Sequence, residues 1–240
     1  LLSEAIPAVA SYLPSPNSDD KGGHRLNNTF STSFVPTEKT TLKSTYTILA
    51  PTGFQNNPIF FDNDTICTYT ELDNYFAYDD GTAETRVIAQ GLGTKVAVEF
   101  VAEVKDTLQG IYFHLPYFTN RDAQLDFINV KVWLDSLTGQ EAFSRDLYRL
   151  QYVDGFNGFF FVELLDFSGQ KVLIHLEPGQ KFYVGWQQSF GPEVPVGFDR
   201  STDARAKTFV GTGSTWDTMS LVGSVMIRPL LWGDSSFTLI

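Results

Sequence analysis

Asp79, Asp80 and Glu84 share one short turn, within Tyr75-Phe76-Ala77-Tyr78-Asp79-Asp80-Gly81-Thr82-Ala83-Glu84. Oxygen donors at this density are what a hard cation such as calcium needs, and the carbonyls near Gly81 and Thr82 would add to the set. A second acidic cluster, Asp62-Asn63-Asp64, precedes it. Neither has the alternating oxygens and late bidentate Glu of an EF-hand loop. The same residues also have an ion-free reading. Asp80-Gly81 is a strong turn dipeptide, because Gly reaches positive φ freely and Asp hydrogen-bonds its own backbone. A calcium site at Asp79, Asp80 and Glu84 and a bare turn are both compatible with these residues.

Other chemistry is thinly represented. His24, His114 and His175 are dispersed without metal-ligand spacing, and no zinc-protease, nucleophile-elbow, phosphate-loop or dinucleotide motif occurs. A non-enzymatic chain is the expectation. A glycoside hydrolase needs two carboxyl groups about 5 to 10 Å apart, and Glu99, Glu103 and Glu163 are the strand-borne candidates. Their alternation with apolar residues equally describes a solvated face. His114 and His175 also alternate out of the apolar faces, so exposed or hydrogen-bonded positions are expected.

Aromatic side chains offer a different chemistry, the flat stacking surface of a carbohydrate-binding module. Trp133 is the best candidate, since alternation points it away from Val132 and Leu134. Trp186 shares a face with Phe182 and Val184 and is expected in the core. Gln187 and Gln188, just beyond it, have the polarity to hydrogen-bond a ligand.

The elements that would position these groups are strands. Phe and Tyr are abundant and Met is scarce, a bias toward sheet. Val96, Val98, Phe100 and Ala102 alternate with Lys95, Glu99 and Glu103. Ile111, Phe113 and Leu115 alternate with Tyr112 and His114, and Ile128, Val130, Val132 and Leu134 with Asn129, Lys131, Trp133 and Asp135. Phe159 to Leu165 is almost continuously apolar, as in a central strand covered on both faces. Glu177-Pro178-Gly179-Gln180 predicts a type II turn joining the Val172 to Leu176 strand to Phe182 to Trp186 as a hairpin. A last strand is expected over 224–230, and a short helical turn near Ser201 to Ala206. Many strands without helices between them predict an all-β, antiparallel, jelly-roll-like sandwich.

The chain divides on composition into 1–30, a Pro- and Gly-punctuated linker or extended arm; 31–63, edge strands or the end of an upstream immunoglobulin-like module; and 64–240, the sandwich. The start at Leu1 suggests a fragment of a longer precursor. A net charge of −11 opposes nucleic acid as a partner. No run approaches the roughly 20 apolar residues that span a bilayer. Cys67 is the sole cysteine, so no intrachain disulfide can form, and the alternation of Thr65 to Tyr69 suggests a buried structural thiol.

The Tyr75 to Glu84 segment resembles one found in secreted and cell-surface proteins of Bacteroidota that leave through type IX secretion. Further segments in the same order are similar to that family: Thr107 to Phe113, Val130 to Trp133, Phe182 to Gln188, Val196 to Asp199 and Gly223 to Pro229. The likeness covers about residues 60 to 230. It departs after the acidic turn, where Thr85-Arg86-Val87-Ile88 replaces a glycine- and tyrosine-containing segment. The resemblance implies a secreted or outer-surface location and a structural, adhesive or gliding-associated role. It also implies partners among the secretion machinery, other surface proteins or glycans. It further implies O-glycosylation at Asp followed by Ser or Thr and an apolar residue, a pattern met at Thr65, Thr107, Ser136 and Thr218.

Overall fold

The computed structural model describes residues 40–47, 65–116, 127–148, 150 and 157–232. The expected arm over 1–30, the second acidic cluster and most of 31–63 lie outside them.

In chain order the strands are β1 (Thr40–Thr47), β2 (Thr65–Leu72), β3 (Thr85–Val87), β4 (Thr94–Val101), β5 (Asp106–Pro116), β6 (Phe127–Leu134), β7 (Glu141–Tyr148), β8 (Asn157–Glu163), β9 (Ile174–Leu176), β10 (Lys181–Gln187), β11 (Val196–Asp199), β12 (Thr208–Thr212), β13 (Thr215–Thr218), β14 (Ser224–Val225) and β15 (Ile227–Leu231). Among the described residues the remaining regular element is a 3-10 turn, Arg205–Lys207, close to where a short helical turn was expected.

All pairings among the described strands are antiparallel. One layer is a six-stranded sheet in the order β13-β12-β4-β10-β6-β7. The other joins β15-β5-β8, with β9 also on β5, to the small sheet β14-β11-β3. Met226 makes the join: its N–H donates to Gly197 O at 2.9 Å and its carbonyl accepts from His114 N–H at 3.1 Å. It also divides the expected 224–230 strand into β14 and β15.

Alternation puts Val96, Val98, Phe100, Val130, Val132, Phe182, Val184 and Trp186 on the inner face of one layer, and Ile111, Phe113, Leu115, Val196 and Phe198 on that of the other. These residues form one buried cluster. Trp186 meets Phe113 edge-on at 6.3 Å between ring centres. Each such side chain contributes about 1.5–3 kcal/mol on burial, so closure of the two layers over this interior holds the sandwich together.

Three expectations are corrected. The turn at Glu177–Gln180 forms as predicted, with Gly179 at φ 79° and Gln180 N–H donating to Glu177 O at 2.9 Å, but β9 pairs with β5 and β10 with β4 and β6. The turn carries the chain from one sheet to the other, which local sequence cannot distinguish from a hairpin. β8 is the terminal strand of its described sheet, and Phe161 is 38% exposed. A continuous apolar run therefore does not mark a central strand here. Cys67 is exposed. It lies on β2, paired with β1 as a two-stranded ribbon, and alternation selects a face without supplying a layer to cover it.

Candidate functional site

Residues 75–84 form a strap that closes against the sandwich. Tyr75 bridges to Leu230, and Phe76 N–H donates to Pro229 O at 3.1 Å. The rings of Phe76 and Tyr78 stack on Phe100 at 6.1 and 5.0 Å, and the Tyr78 hydroxyl donates to Glu99 O at 3.0 Å. The alternation that marks this stretch as strand-like thus anchors the approach to the turn.

At Asp79 the strap meets β15. The Asp79 side chain has no solvent exposure and pairs with Arg228, whose Nε donates to the two carboxylate oxygens at 3.2 and 3.3 Å and whose Nη2 reaches Oδ1 at 2.5 Å. The guanidinium lies over Phe159 at 4.1 Å and Tyr75 at 4.9 Å, a cation–π sandwich. Asp79 is therefore committed to Arg228 and withdrawn from the expected cation set.

The turn then folds over β11. Gly81 adopts φ 96° and donates its N–H to Asp79 Oδ1 at 3.0 Å. Asp80 Oδ1 accepts from Thr82 N–H at 2.9 Å and Thr82 Oγ1 at 2.7 Å, while Asp80 N–H donates to Asp199 Oδ2 at 2.9 Å. Asp199 Oδ1 accepts from Ser201 N–H at 2.6 Å, and Glu84 Oε2 from Arg200 N–H at 2.8 Å. Ser201 Oγ lies 2.8 Å from Asp80 Oδ2 and 2.6 Å from Asp199 Oδ1. Its single proton serves one of them at a time.

Hydrogen bonds from the Thr82 side chain and backbone hold Asp80 below the usual carboxylate range. For Asp199, burial alone would raise the value, but donors from Ser201 and the Asp80 N–H outweigh it and the net direction is down. Asp80, Glu84 and Asp199 each place a ligand-capable oxygen within 4.8 Å of the others. The arrangement can act as an ionised clasp or receive a hard cation. Sequence reasoning missed Asp199, which lies 119 residues from Asp80. Its one local signal is the Asp-x-Ser spacing of a side-chain turn.

The other candidates lie on the outer face of the six-stranded sheet. In register across it stand Trp216, Gly211, Lys95, Gln187, Asn129 and Asp146. A parallel row holds Glu99, Tyr183 and Trp133. Trp133 points away from the core as expected, yet it is only 1% exposed, because Trp216 meets it edge-on at 5.4 Å and Leu137 packs nearby. The expectation that it stands clear as a platform is corrected. Gln187 is half-buried on this face. Gln188 is buried in a loop, where Nε2 donates to Phe190 O and Pro192 O and Oε1 accepts from Val194 N–H.

Glu99, expected on a wet face, is buried beneath Lys181 at 3.3 Å, Lys207 at 2.8 Å and the Tyr183 hydroxyl at 3.1 Å. Burial would raise its pKa, but these three donors pull the net value down. Burial and the adjacent Glu99 push the Tyr183 phenol up to about 12. Glu163 pairs with Lys171 at 2.6 Å on the opposite sheet. Glu99 and Glu163 thus do not converge. The hollow beside the strap, about 260 Å³ and lined by Phe76, Tyr78, Phe100 and Val101, presents one carboxylate, Glu103. His114, expected exposed or satisfied, is buried with Nδ1 lacking a hydrogen-bond partner.

Among the Asp-Ser/Thr positions, Ser136 and Thr218 are exposed. Thr107 Oγ1 is hydrogen-bonded to His175 Nδ1 at 3.1 Å. Thr65 opens β2, and its side chain lies outside the described residues.

Comparison of the chain with protein-family models, curated proteins and solved structures gives no match.

Proposed function

We propose that this chain is a non-catalytic β-sandwich module of a secreted or outer-surface bacterial protein, exported by type IX secretion and serving a structural or adhesive role. One observation supports the reading above others. The family-like segments, distant in sequence, meet around the strap: β11 supplies Asp199, β14 supplies Ser224, whose Oγ reaches Tyr78 O at 3.2 Å, and β15 supplies Arg228. The acidic motif is spent on closing the fold, as a structural module requires. Among the described side chains, Ser136 and Thr218 are the exposed positions for the O-glycosylation that goes with such export. Surface biotinylation and fractionation of the encoding bacterium test the proposal. Recovery of labelled chain from the surface or medium, with added mass on native material, is the expected result; exclusive recovery from the cytoplasm removes it.

A second reading, glycan binding, is favoured by the half-buried Trp216, with Lys95 over its ring at 5.7 Å and Gln187 and Asn129 farther along the same sheet face. Trp216 is the ring to test. Glycan-array binding lost in Trp216→Ala supports this reading, and a blank array for the folded wild type disposes of it.

A further inference from the structure

His114 sits on β5 between the layers' joining strands. It is 5% exposed, and its Nδ1 has no hydrogen-bond partner. The ring packs directly on the backbone of Gly197, where an added Cβ would lie 2.5 Å from Nδ1 and 3.0 Å from Met226 Sδ. On its other side it meets Phe159 edge-on at 5.2 Å. That same Phe159 ring carries the Arg228 guanidinium on its face at 4.1 Å, and Arg228 holds Asp79. A ring whose Nδ1 has no hydrogen-bond partner therefore props the Phe159 ring on which the clasp rests.

We propose that His114 is an acid-sensitive prop: when its imidazole gains a proton, the Asp79–Arg228 clasp weakens and the strap over 75–84 loosens. The neutral ring fits a slot of Gly, Met and Phe, but the imidazolium needs acceptors for two N–H groups. It also places a second cation near Arg228, with Asp79 as the shared counter-ion.

Among the described residues the charged groups acting on His114 are Asp79 from the strap, which favours the proton, and Arg228 from β15, which opposes it. Arg86 on β3 lies in register with Gly197. The facing groups of β8, β11 and β14–β15, namely Phe159, Gly197 and Met226, carry no charge. Burial is the largest influence and holds the imidazole below its usual value. The sign follows. A depressed folded value leaves the strap fully held above the ordinary histidine range, near pH 6.5, and costs stability as pH falls below it.

The test is amide hydrogen exchange in wild type and His114→Gln at about pH 7.5 and about pH 5.5, corrected for the intrinsic pH dependence. The reporters are Phe76 and Asp80, whose N–H groups donate to Pro229 O and Asp199 Oδ2. On the order of tenfold loss of protection in acid, confined to wild type, is the expected result. Equal loss in both proteins, or none in wild type, overturns the proposal. Should the variant not fold, the wild-type imidazole is followed by NMR. A His114 titration below the ordinary range, with strap amides shifting in step, supports the prop; titration at or above that range overturns it.

Discussion

Arg228 is where the strap is most exposed to a single change. Among the described residues its guanidinium is the sole cation paired with a carboxylate side chain that has no solvent exposure. Arg228→Met leaves Asp79 charged, buried and unpaired, and a loss of about 3–5 kcal/mol in urea unfolding is expected. Adding Asp79→Leu should restore much of that loss, since an apolar pair of similar volume removes the stranded charge; additive losses would show that the pair is not coupled. The neighbouring carboxylates behave differently. Asp80, Glu84 and Asp199 already accept hydrogen bonds from Thr82, Arg200 and Ser201, so their negative charge is met by protein donors. The melting midpoint should accordingly be the same in calcium and in chelator. A midpoint raised by calcium would place an ion among them, because a ligand bound only by the native state must stabilise it.

At the scale of the strands, the register of β4 against β10 depends on Gly185. A Cβ there would lie 1.9 Å from Val96 O and 2.8 Å from Ala97 Cα. Both are backbone atoms, so the strands must part. Gly185→Ala should cost about 3 kcal/mol, the upper part of the range for overpacking. Gly211→Ala presses first on the Trp216 ring at 2.6 Å, a side chain that can swing away, and then on Thr215 O at 2.8 Å in the β12–β13 hairpin, so a smaller loss with altered tryptophan near-ultraviolet circular dichroism is expected. Equal losses at the two sites would contradict this account. These strands were legible in the sequence because period-two alternation at Val96 to Phe100, Ile111 to Leu115 and Ile128 to Val132 reports directly on burial. What alternation could not convey was the second coat on the outer face. Trp133, Glu99 and His114 all point away from the core as read, yet each is covered by residues from distant strands. The partner of the acidic turn was hidden for the same reason, since Asp199 reaches it only through sheet topology.

Over the whole molecule these ionisable groups set the limits of stability. Asp80, Asp199 and Glu99 all titrate below their ordinary values in the folded chain. Such groups stabilise fully above their unfolded values, about 3.9 for Asp and 4.3 for Glu, and that contribution disappears as pH falls through the folded values. Lys207, raised chiefly by its hydrogen bond to Glu99, and Tyr183, pushed up to about 12, act in the opposite direction. Their contribution is present below their unfolded values near 10 and is lost as pH rises through the folded ones. The urea midpoint should therefore be flat between about pH 7 and about pH 9, fall steeply below about pH 4 and fall again above about pH 10. Glu99 belongs to both limbs, because it faces Lys207 and Tyr183 together. Glu99→Gln should lower the plateau, by leaving two lysines without their carboxylate, and should flatten both limbs relative to wild type. An acid limb of unchanged steepness in that variant would shift the acid response onto the strap carboxylates, and Asp199→Asn would then be the change that flattens it.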